Sequence, residues 1–323
     1  MRSIIRKISI PSILCALLFP VLVSGQTVVE KNGQLRVEGN RVVNQHGEPV
    51  CFAGMSLFWS QWGGKYYNPE VIHALATEWH CGITRAAMAV EMNGYLRNPE
   101  REKEKVKIAV ESCIKEGIYI FIDWHDHNAH NHQEEAIAFF SEMAREFGEY
   151  PNVIYEIFNE PAEVSWKDVV VPYSVAVIKE IRKHDPDNLI LVSVPRWCQE
   201  LQLAAADPIE GFDNLVYSLH FYAASHKEDI RNKAKTALEN GLAIMASEWG
   251  ACEYTGDGYI DEESTRIWLD FMKENGISWC NWSLNDRKES ASALKPDTPG
   301  DGNWTEEDLT ESGKLLRKLI VEW

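Results

Sequence analysis

Short apolar segments alternate with longer amphipathic segments along most of the chain. Eight of the short segments have the length and composition of buried strands. They are Val50–Ser56, Ile83–Met88, Tyr119–His125, Val153–Asn159, Leu189–Pro195, Leu215–Tyr222, Ala243–Gly250 and Ser278–Leu284. Seven longer segments repeat apolar residues at helical spacing. They are Pro69–His80, Arg101–Glu116, Gln133–Glu149, Trp166–His184, His226–Asn240, Glu263–Glu274 and Leu309–Ile320. The chain is therefore expected to fold as repeated strand-then-helix units.

Repeated units of this kind require parallel strands joined by right-handed crossovers, and eight of them close most simply into a (β/α)8 TIM barrel. The alternative is an open doubly wound sheet, which normally has a glycine-rich turn after its first strand. Here the first strand runs into Leu57-Phe58-Trp59 instead. A Gly39-Asn40 turn between two short apolar segments predicts a β-hairpin at the bottom of the barrel. We expect one domain over residues 26–323.

The amino terminus has the pattern of a secretory signal peptide. Basic residues come first, an apolar segment covers Ile8 to Val23, and Ser24-Gly25 follows. The alternative is a membrane anchor, but two prolines interrupt the segment and it is shorter than the ~20 residues that a spanning helix needs. We expect residues 1–25 to be removed and the protein to be secreted or periplasmic.

The charge and the amino-acid composition of the chain limit the classes of molecule that it is expected to bind. The net charge of −17 argues against nucleic acid and anionic membranes, which attract basic surfaces. Twelve Trp and eleven Tyr suit stacking on sugar rings, although they serve equally well in a core. The six cysteines after residue 25 permit disulfides but lack the close pairing of zinc sites, so mostly free thiols are expected. A monomer without cofactor is predicted.

Polar side chains gather at the ends of the predicted strands, which form one face of such a barrel. They are Arg85, Asp123, His125, His127, Asn159, Glu160, His220, Tyr222, Glu248 and Trp282. Any one of these residues alone is better explained as an exposed or capping group. Together they indicate a shared pocket. Glycoside cleavage needs two carboxyl groups of opposite protonation, and Glu160 and Glu248 meet that need.

Six short motifs surround these residues along the chain. They are Thr84-Arg85-Ala86-Ala87-Met88, Asp123-Trp124-His125, Ile157-Phe158-Asn159-Glu160-Pro161, Leu219-His220-Phe221-Tyr222, Ser247-Glu248-Trp249-Gly250 and Trp282-Ser283-Leu284-Asn285-Asp286. In this order they resemble glycoside hydrolase family 5, the cellulase family A, and within it the bacterial endo-β-1,4-glucanases. The resemblance covers nearly all of the chain after the signal peptide. Asn-Glu-Pro alone is a weak signal, but the ordered set is specific.

The resemblance implies that Glu160 is the proton donor and Glu248 the nucleophile of a retaining enzyme. Arg85 is expected to donate to Glu248 and keep it ionised. Asn159 is expected to bond the sugar 2-hydroxyl. His220 is expected to orient or exchange protons with Glu160.

The remaining site residues are expected to bind sugar or to support the nucleophile. Tyr222 is expected to donate to Glu248, and His125 to contact the sugar at the cleavage point. Trp282 and Trp62 are expected to stack on pyranose rings, and Arg287 with Glu289 to bond a sugar on the non-reducing side. Phe58 stands where many members of the family have His, and Ala89 where some have Tyr. The wall of the cleft on the non-reducing side is therefore expected to differ from that of those members.

Two further hypotheses concern metal and substrate. The spacing of His125, His127, His130 and His132 suggests a metal site. A zinc site needs three or four convergent ligands, however, and this segment has the pattern of a loop, so no metal is predicted.

The predicted reaction is hydrolysis of internal β-1,4 bonds in cellulose or a related β-glucan. The alternatives are the same chemistry on mannan, xylan or mixed-linkage glucan, and a barrel that binds sugar without cleaving it.

Overall fold

The computed structural model describes residues 25–323, and all of the predicted signal peptide except Gly25 lies outside them. Ten strands are formed in this part of the chain. They are β1 (Arg36–Glu38), β2 (Arg41–Val43), β3 (Ala53–Leu57), β4 (Ile83–Ala89), β5 (Tyr119–His125), β6 (Val153–Glu156), β7 (Ile190–Val192), β8 (Leu215–Tyr222), β9 (Ile244–Gly250) and β10 (Trp279–Leu284). Strands β3 to β10 close into a parallel barrel in chain order, and β10 pairs with β3. The predicted (β/α)8 barrel is confirmed.

Helices follow the barrel strands and pack around them. Within residues 25–323 they are α1 (Val28–Asn32), α2 (Pro69–Thr77), α3 (Pro99–Glu116), α4 (Gln133–Phe147), α5 (Val171–Ile181), α6 (Pro195–Cys198), α7 (Leu201–Ala206), α8 (Glu228–Glu239), α9 (Glu262–Asn275) and α10 (Glu311–Val321). A single π-helical turn, Trp166–Val170, leads into α5. No helix in the described part of the chain combines the length and apolarity needed to cross a membrane.

The hairpin of β1 and β2 is the predicted one, and it covers the amino-terminal end of the barrel. The two strands pair antiparallel. Leu35, just before β1, and Val42, in β2, pack on Tyr119, Phe121 and other residues that fill the lower interior of the barrel. Burial of this apolar layer fills the barrel at that end.

Most element boundaries agree with the sequence prediction, and two strands are shorter. The strand predicted to end at Asn159 ends at Glu156, and the one predicted to end at Pro195 ends at Val192. Beyond them the two segments bond each other irregularly, since Ser193 Oγ donates to the carbonyl of Phe158. Helices α1, α6 and α7 were not predicted, because each is too short to show helical periodicity.

Candidate active site

Arg85 on β4 lies wholly buried at the centre of the carboxyl-terminal end of the barrel. Its Nε and Nη2 donate to the two carboxylate oxygens of Glu156, at 2.7 and 3.1 Å. Nη2 also donates to Asn159 Oδ1 at 2.6 Å and lies 2.9 Å from Asp123 Oδ2. Nη1 donates to Glu248 Oε2 at 2.8 Å. A buried guanidinium with this many anionic partners holds several strands in one geometry.

Glu248 has one partner on each carboxylate oxygen. Arg85 occupies Oε2, and the Tyr222 hydroxyl donates to Oε1 at 2.9 Å. Tyr222 comes from β8 and Glu248 from β9, and the two strands pair side by side. The carboxylate is therefore held in a single orientation by two rigid donors.

Glu160 lies just past β6 between two histidines. His220 Nδ1 is 2.9 Å from its Oε1, and His127 Nε2 is 3.4 Å from its Oε2. The other ring nitrogen of His220 lies 2.9 Å from Ser247 Oγ, which donates to Glu156 at 2.7 Å. Because the Ser247 proton is directed at Glu156, Ser247 accepts from His220 Nε2–H. His220 Nδ1 and Glu160 Oε1 therefore share one proton.

The carboxyl groups of Glu160 and Glu248 face each other. One oxygen of each, together with a ring nitrogen of His220, lies within 4.8 Å of the others. The two residues are far apart in sequence, and it is the closure of the barrel that makes them neighbours. Both sit at the carboxyl-terminal ends of strands, where ligands bind in barrels of this type.

The pKa directions of the two carboxyl groups are opposite to those expected from the sequence. Burial and the charge of Glu160 raise the pKa of Glu248, and the lowering effect of Arg85 does not offset them. Burial also acts to raise the pKa of Glu160, but the contact with His127 and the hydrogen bond with His220 outweigh it and leave that pKa below its ordinary value. His220 loses basicity by burial, yet its bonds to Glu156 and Glu160 raise its pKa to about 9. In the sugar-free site the available proton therefore resides on imidazole.

His125 and Trp282 form the floor of the cleft beside Glu248. Their rings stack in parallel with centroids 5.1 Å apart, and His125 Nδ1 lies 2.6 Å from Asp123 Oδ2. Trp282 is only 6% exposed, so at most one edge or face is open to a ligand. Burial and the nearby Arg85 charge lower the pKa of His125 and keep it neutral.

One end of the cleft is lined by the residues predicted to bind sugar on the non-reducing side. The Trp62 side chain is 52% exposed and packs on Phe58, which packs on Trp282. The Arg287 guanidinium lies over the rings of Phe58 and Trp62, at 5.5 and 5.8 Å from their centroids. Glu289 pairs with Arg287 at 3.6 Å. The predicted residues therefore meet in one patch, with Phe58 as part of its wall.

The other end of the cleft is a cavity of about 500 Å³ on the Glu160 side. Its lining residues are His127, Glu160, Trp197, Gln199, His220, Tyr222, His226 and Tyr254. Sequence reasoning missed Trp197, Gln199, His226 and Tyr254. Trp197 lies in α6, a four-residue turn after β7, and the other three lie in irregular segments after β7, β8 and β9. Trp197 has φ near +54°, in the left-handed region; its N–H donates to the carbonyl of Pro161, and the N–H of Arg196 donates to the carbonyl of Ala162. No periodic pattern marks such residues.

The histidine-rich segment after β5 does not converge on one point. His125 pairs with Asp123, His127 with Glu160, and His132 with Asp126 at 2.7 Å. His130 instead stacks on Phe158. Ligand-type atoms of Glu91, Asp126 and His132 do cluster within 4.8 Å, but Asp126 already accepts from His132 and from the backbone of Asn128.

Two other features of the site differ from expectation. Glu156 and Ser247 complete the hydrogen-bond network and were not singled out. A charged residue within the apolar segment Val153–Phe158 was the available signal for Glu156. His73 and His80, which lie outside the site, are both exposed. The six cysteines among residues 25–323 are free thiols.

The fold and the paired carboxyl groups define a barrel of the glycoside hydrolase class. The sequence model described as cellulase (glycosyl hydrolase family 5) matches residues 43–288, and the chain belongs to this family. Endoglucanase Z of Dickeya dadantii is 46% identical over 294 residues, which are 90% of this chain and 66% of that protein. An endoglucanase of Clostridium saccharobutylicum is 40% identical over 89% of this chain and 65% of its own length. The chain thus spans about two thirds of these relatives.

Solved structures agree over the whole barrel. A protein from Cytophaga hutchinsonii superposes with a TM-score of 0.90 at 46% identity, covering 91% of this chain and 96% of that one. The catalytic domain of an endoglucanase from Thermobifida fusca, in complex with cellotetraose, has a TM-score of 0.88 at 31% identity. That match covers 92% of this chain and 100% of the other.

Proposed function

We propose that this protein is a retaining endo-β-1,4-glucanase, with Glu248 as nucleophile and Glu160 as acid/base. The observation that carries the proposal is that one carboxylate oxygen of Glu160 and one of Glu248 lie within 4.8 Å of each other at the carboxyl-terminal end of the barrel. Retaining glycosidases place these groups ~5–5.5 Å apart, whereas inverting enzymes separate them by ~6.5–9.5 Å to admit a water molecule. The short separation favours direct attack by one carboxylate.

In the first step, a carboxylate oxygen of Glu248 attacks the anomeric carbon while the bond to the leaving sugar oxygen breaks. Glu160 delivers a proton to that oxygen, so the shortened chain leaves as a neutral alcohol. In the second step, water attacks the anomeric carbon, its proton passes to Glu160, and Glu248 is released as carboxylate. Glu160 loses one proton in the first step and regains one in the second, so the two steps together leave the site as it began.

The hydrogen-bond partners suit these roles. Arg85 and Tyr222 hold Glu248 in position without blocking the approach of a sugar, because both donors come from within the barrel wall. The side-chain carbonyl oxygen of Asn159 accepts from Arg85, and its Nδ2 is buried with no hydrogen-bond partner among residues 25–323. A buried donor of this kind calls for an acceptor on the ligand, and a sugar 2-hydroxyl beside the anomeric carbon supplies it.

The substrate proposal rests on aromatic groups at both ends of the cleft. Trp62 and the exposed edge of Trp282 lie on one side of the carboxyl pair, and Trp197 and Tyr254 line the cavity on the other. Apolar faces along an open groove suit a chain of equatorially linked pyranoses, as in cellulose or mixed-linkage β-glucan. The two relatives named endoglucanase support the same substrate class.

A comparison of carboxymethyl-cellulose, lichenan, xylan and mannan by reducing-end release tests the substrate. We expect the two glucans to be cleaved and mannan to be left nearly intact. Activity confined to mannan or xylan refutes the substrate proposal while keeping the chemistry. The anomer released first, followed by NMR, tests retention, and an α product contradicts it.

The remaining proposals concern the whole chain. We propose that residues 26–323 form the catalytic domain and act as a monomer outside the cytoplasm after removal of residues 1–25. Amino-terminal sequencing of protein recovered from the culture medium or periplasm tests the cleavage. Light scattering at micromolar concentration tests the monomer.

A further inference from the structure

His127 is a second histidine on the acid/base carboxyl group, and the proposed function so far gives it no role. Its Nε2 lies 3.4 Å from Glu160 Oε2, and its side chain is 42% exposed. It belongs to the loop after β5, where its ring meets the edge of Trp59. It also lines the cavity that would receive the departing sugar. His127 therefore lies between solvent, the leaving-group side of the cleft and Glu160.

The two oxygens of Glu160 are not equivalent. Oε1 is bonded to His220, which is 1% exposed and is itself held by Ser247. A proton on that oxygen would be directed into the barrel wall. Oε2 has only the longer contact with the more exposed His127 among the described residues. Oε2 is therefore the oxygen that can present a proton to a sugar in the cavity.

We propose that His127 is the proton-exchange partner of Glu160: it supplies the proton that Oε2 delivers to the leaving group and takes up the proton that Oε2 gains from the attacking water. The inference rests on the proposed function, because it needs Glu160 to act as acid and base. In the resting site the imidazolium of His127 faces the carboxylate of Glu160. Transfer of its Nε2 proton to Oε2 gives a neutral imidazole and a carboxylic acid, and this acid then protonates the leaving oxygen.

The proton balance closes within the pair of His127 and Glu160. After the second step Glu160 Oε2 carries a proton taken from the attacking water, and neutral His127 takes it up. The exposed face of the imidazole then exchanges with bulk water between turnovers. No reagent other than water and its protons is required.

The electrostatic surroundings favour a proton on His127. Its pKa is raised, first by the contact with Glu160 and then by the charges of Glu248 and Asp126, against the opposing effect of burial. Other titratable groups face the pair from the packed elements. They are Asp123 and His125 on β5, Asp126 after β5, His220 and Tyr222 on β8, His226 after β8, Cys198 on α6 and Glu248 on β9.

The test compares two substrates in the full-length enzyme. Cellotetraose has a leaving group that must be protonated, whereas 2,4-dinitrophenyl β-cellobioside has one that departs without a proton. For His127→Asn and His127→Gln, we expect kcat/KM on cellotetraose above neutral pH to fall about tenfold and its alkaline limb to move down by about one pH unit. The kcat/KM on the dinitrophenyl substrate should change less than about threefold.

His73→Asn is the matched control, since it removes an exposed histidine that pairs with Glu116 at 3.0 Å on the outer surface. It should leave both profiles unchanged. An equal loss on both substrates for the His127 variants indicates a structural role and overturns the inference. A rise in KM without movement of the alkaline limb indicates a simple sugar contact and also overturns it. If wild-type enzyme cleaves neither substrate, the proposed function itself has failed.

Discussion

The barrel interior contains two adjacent layers built from the same strands, and they have opposite chemistry. In the lower layer the inward residues are apolar and closed by the hairpin, as with Ile83, Phe121 and Ile154. Two residues further along each strand, the inward positions hold Arg85, Asp123 and Glu156. Alternation along a strand makes both sets point inward.

The two layers contribute differently to the free energy of unfolding. Burial of each large apolar side chain in the lower layer stabilises the fold by roughly 1.5–3 kcal/mol. Burial of the upper charges has a desolvation penalty that their mutual attraction only partly offsets. The lower layer therefore supports the fold, and the upper layer holds charge where a sugar would react. Substitutions in the two layers should separate stability from activity.

The largest effect is expected from Glu248→Gln in the upper layer. The amide keeps the shape of the side chain but cannot form a glycosyl ester, so kcat on carboxymethyl-cellulose should fall by at least about 10⁴-fold. The melting temperature should stay near that of wild type or rise, because a buried charge is removed. The control is Glu262→Gln, which changes an exposed carboxylate at the start of α9. Retained turnover in the variant would reject Glu248 as nucleophile.

The next effect is expected from Phe121→Ala in the lower layer. The cavity left by a wholly buried ring should lower the free energy of unfolding by about 3–5 kcal/mol, measured by denaturant titration. The kcat of the folded fraction should remain within about threefold of wild type, since Asp123 and its partners are held by Arg85. Phe121→Leu should recover most of the stability. A large loss of kcat with little loss of stability would contradict the separation of the layers.

A pH effect on stability is expected from His220. Its pKa in the folded protein is about 9, above the ordinary value of 6.5, so its stabilising contribution is fully present below pH 6.5 and is lost as pH rises through 9. The free energy of unfolding should therefore decline between pH 6.5 and 9, by on the order of 1–3 kcal/mol.

His220→Asn should remove that part of the decline, as followed by melting temperature across the same pH range. His73→Asn, at the exposed pair on α2, should keep it. If the melting temperatures of wild type and His220→Asn followed the same curve over this pH range, protonation of His220 would not be the cause of the decline in stability.

The smallest effect is expected from Tyr222→Phe, which removes one of the two donors on Glu248. Loss of a hydrogen bond to a charged group, worth roughly 1.5 kcal/mol, should reduce kcat/KM on cellotetraose about tenfold with little change in stability. Tyr259→Phe, which removes an exposed hydroxyl bonded to the carbonyl of Ala224, is the control. Equal activities for the two variants would mean that Arg85 alone positions the nucleophile.

Most of the fold and the members of the site were predictable because they depend on local pattern. Apolar runs of strand length located all eight barrel strands, and polar residues at their ends located Arg85, Glu160, His220 and Glu248. The misses have one cause. Trp197 lies in a four-residue turn, Tyr254 lies in an irregular segment, and Glu156 lies within an apolar run, so periodicity does not separate them from loop or core.

The sequence by itself determined which residues enter the barrel and which of them reach its carboxyl-terminal end, because alternation and segment length act over a few neighbouring residues. Only the tertiary structure decided how the charges are shared. Glu160 contacts His127 and His220, and Glu248 contacts Arg85 and Tyr222, through strand pairing that no local pattern records. Protonation depends on these distances and on burial, so the low pKa of Glu160 and the raised pKa of His220 follow from barrel closure.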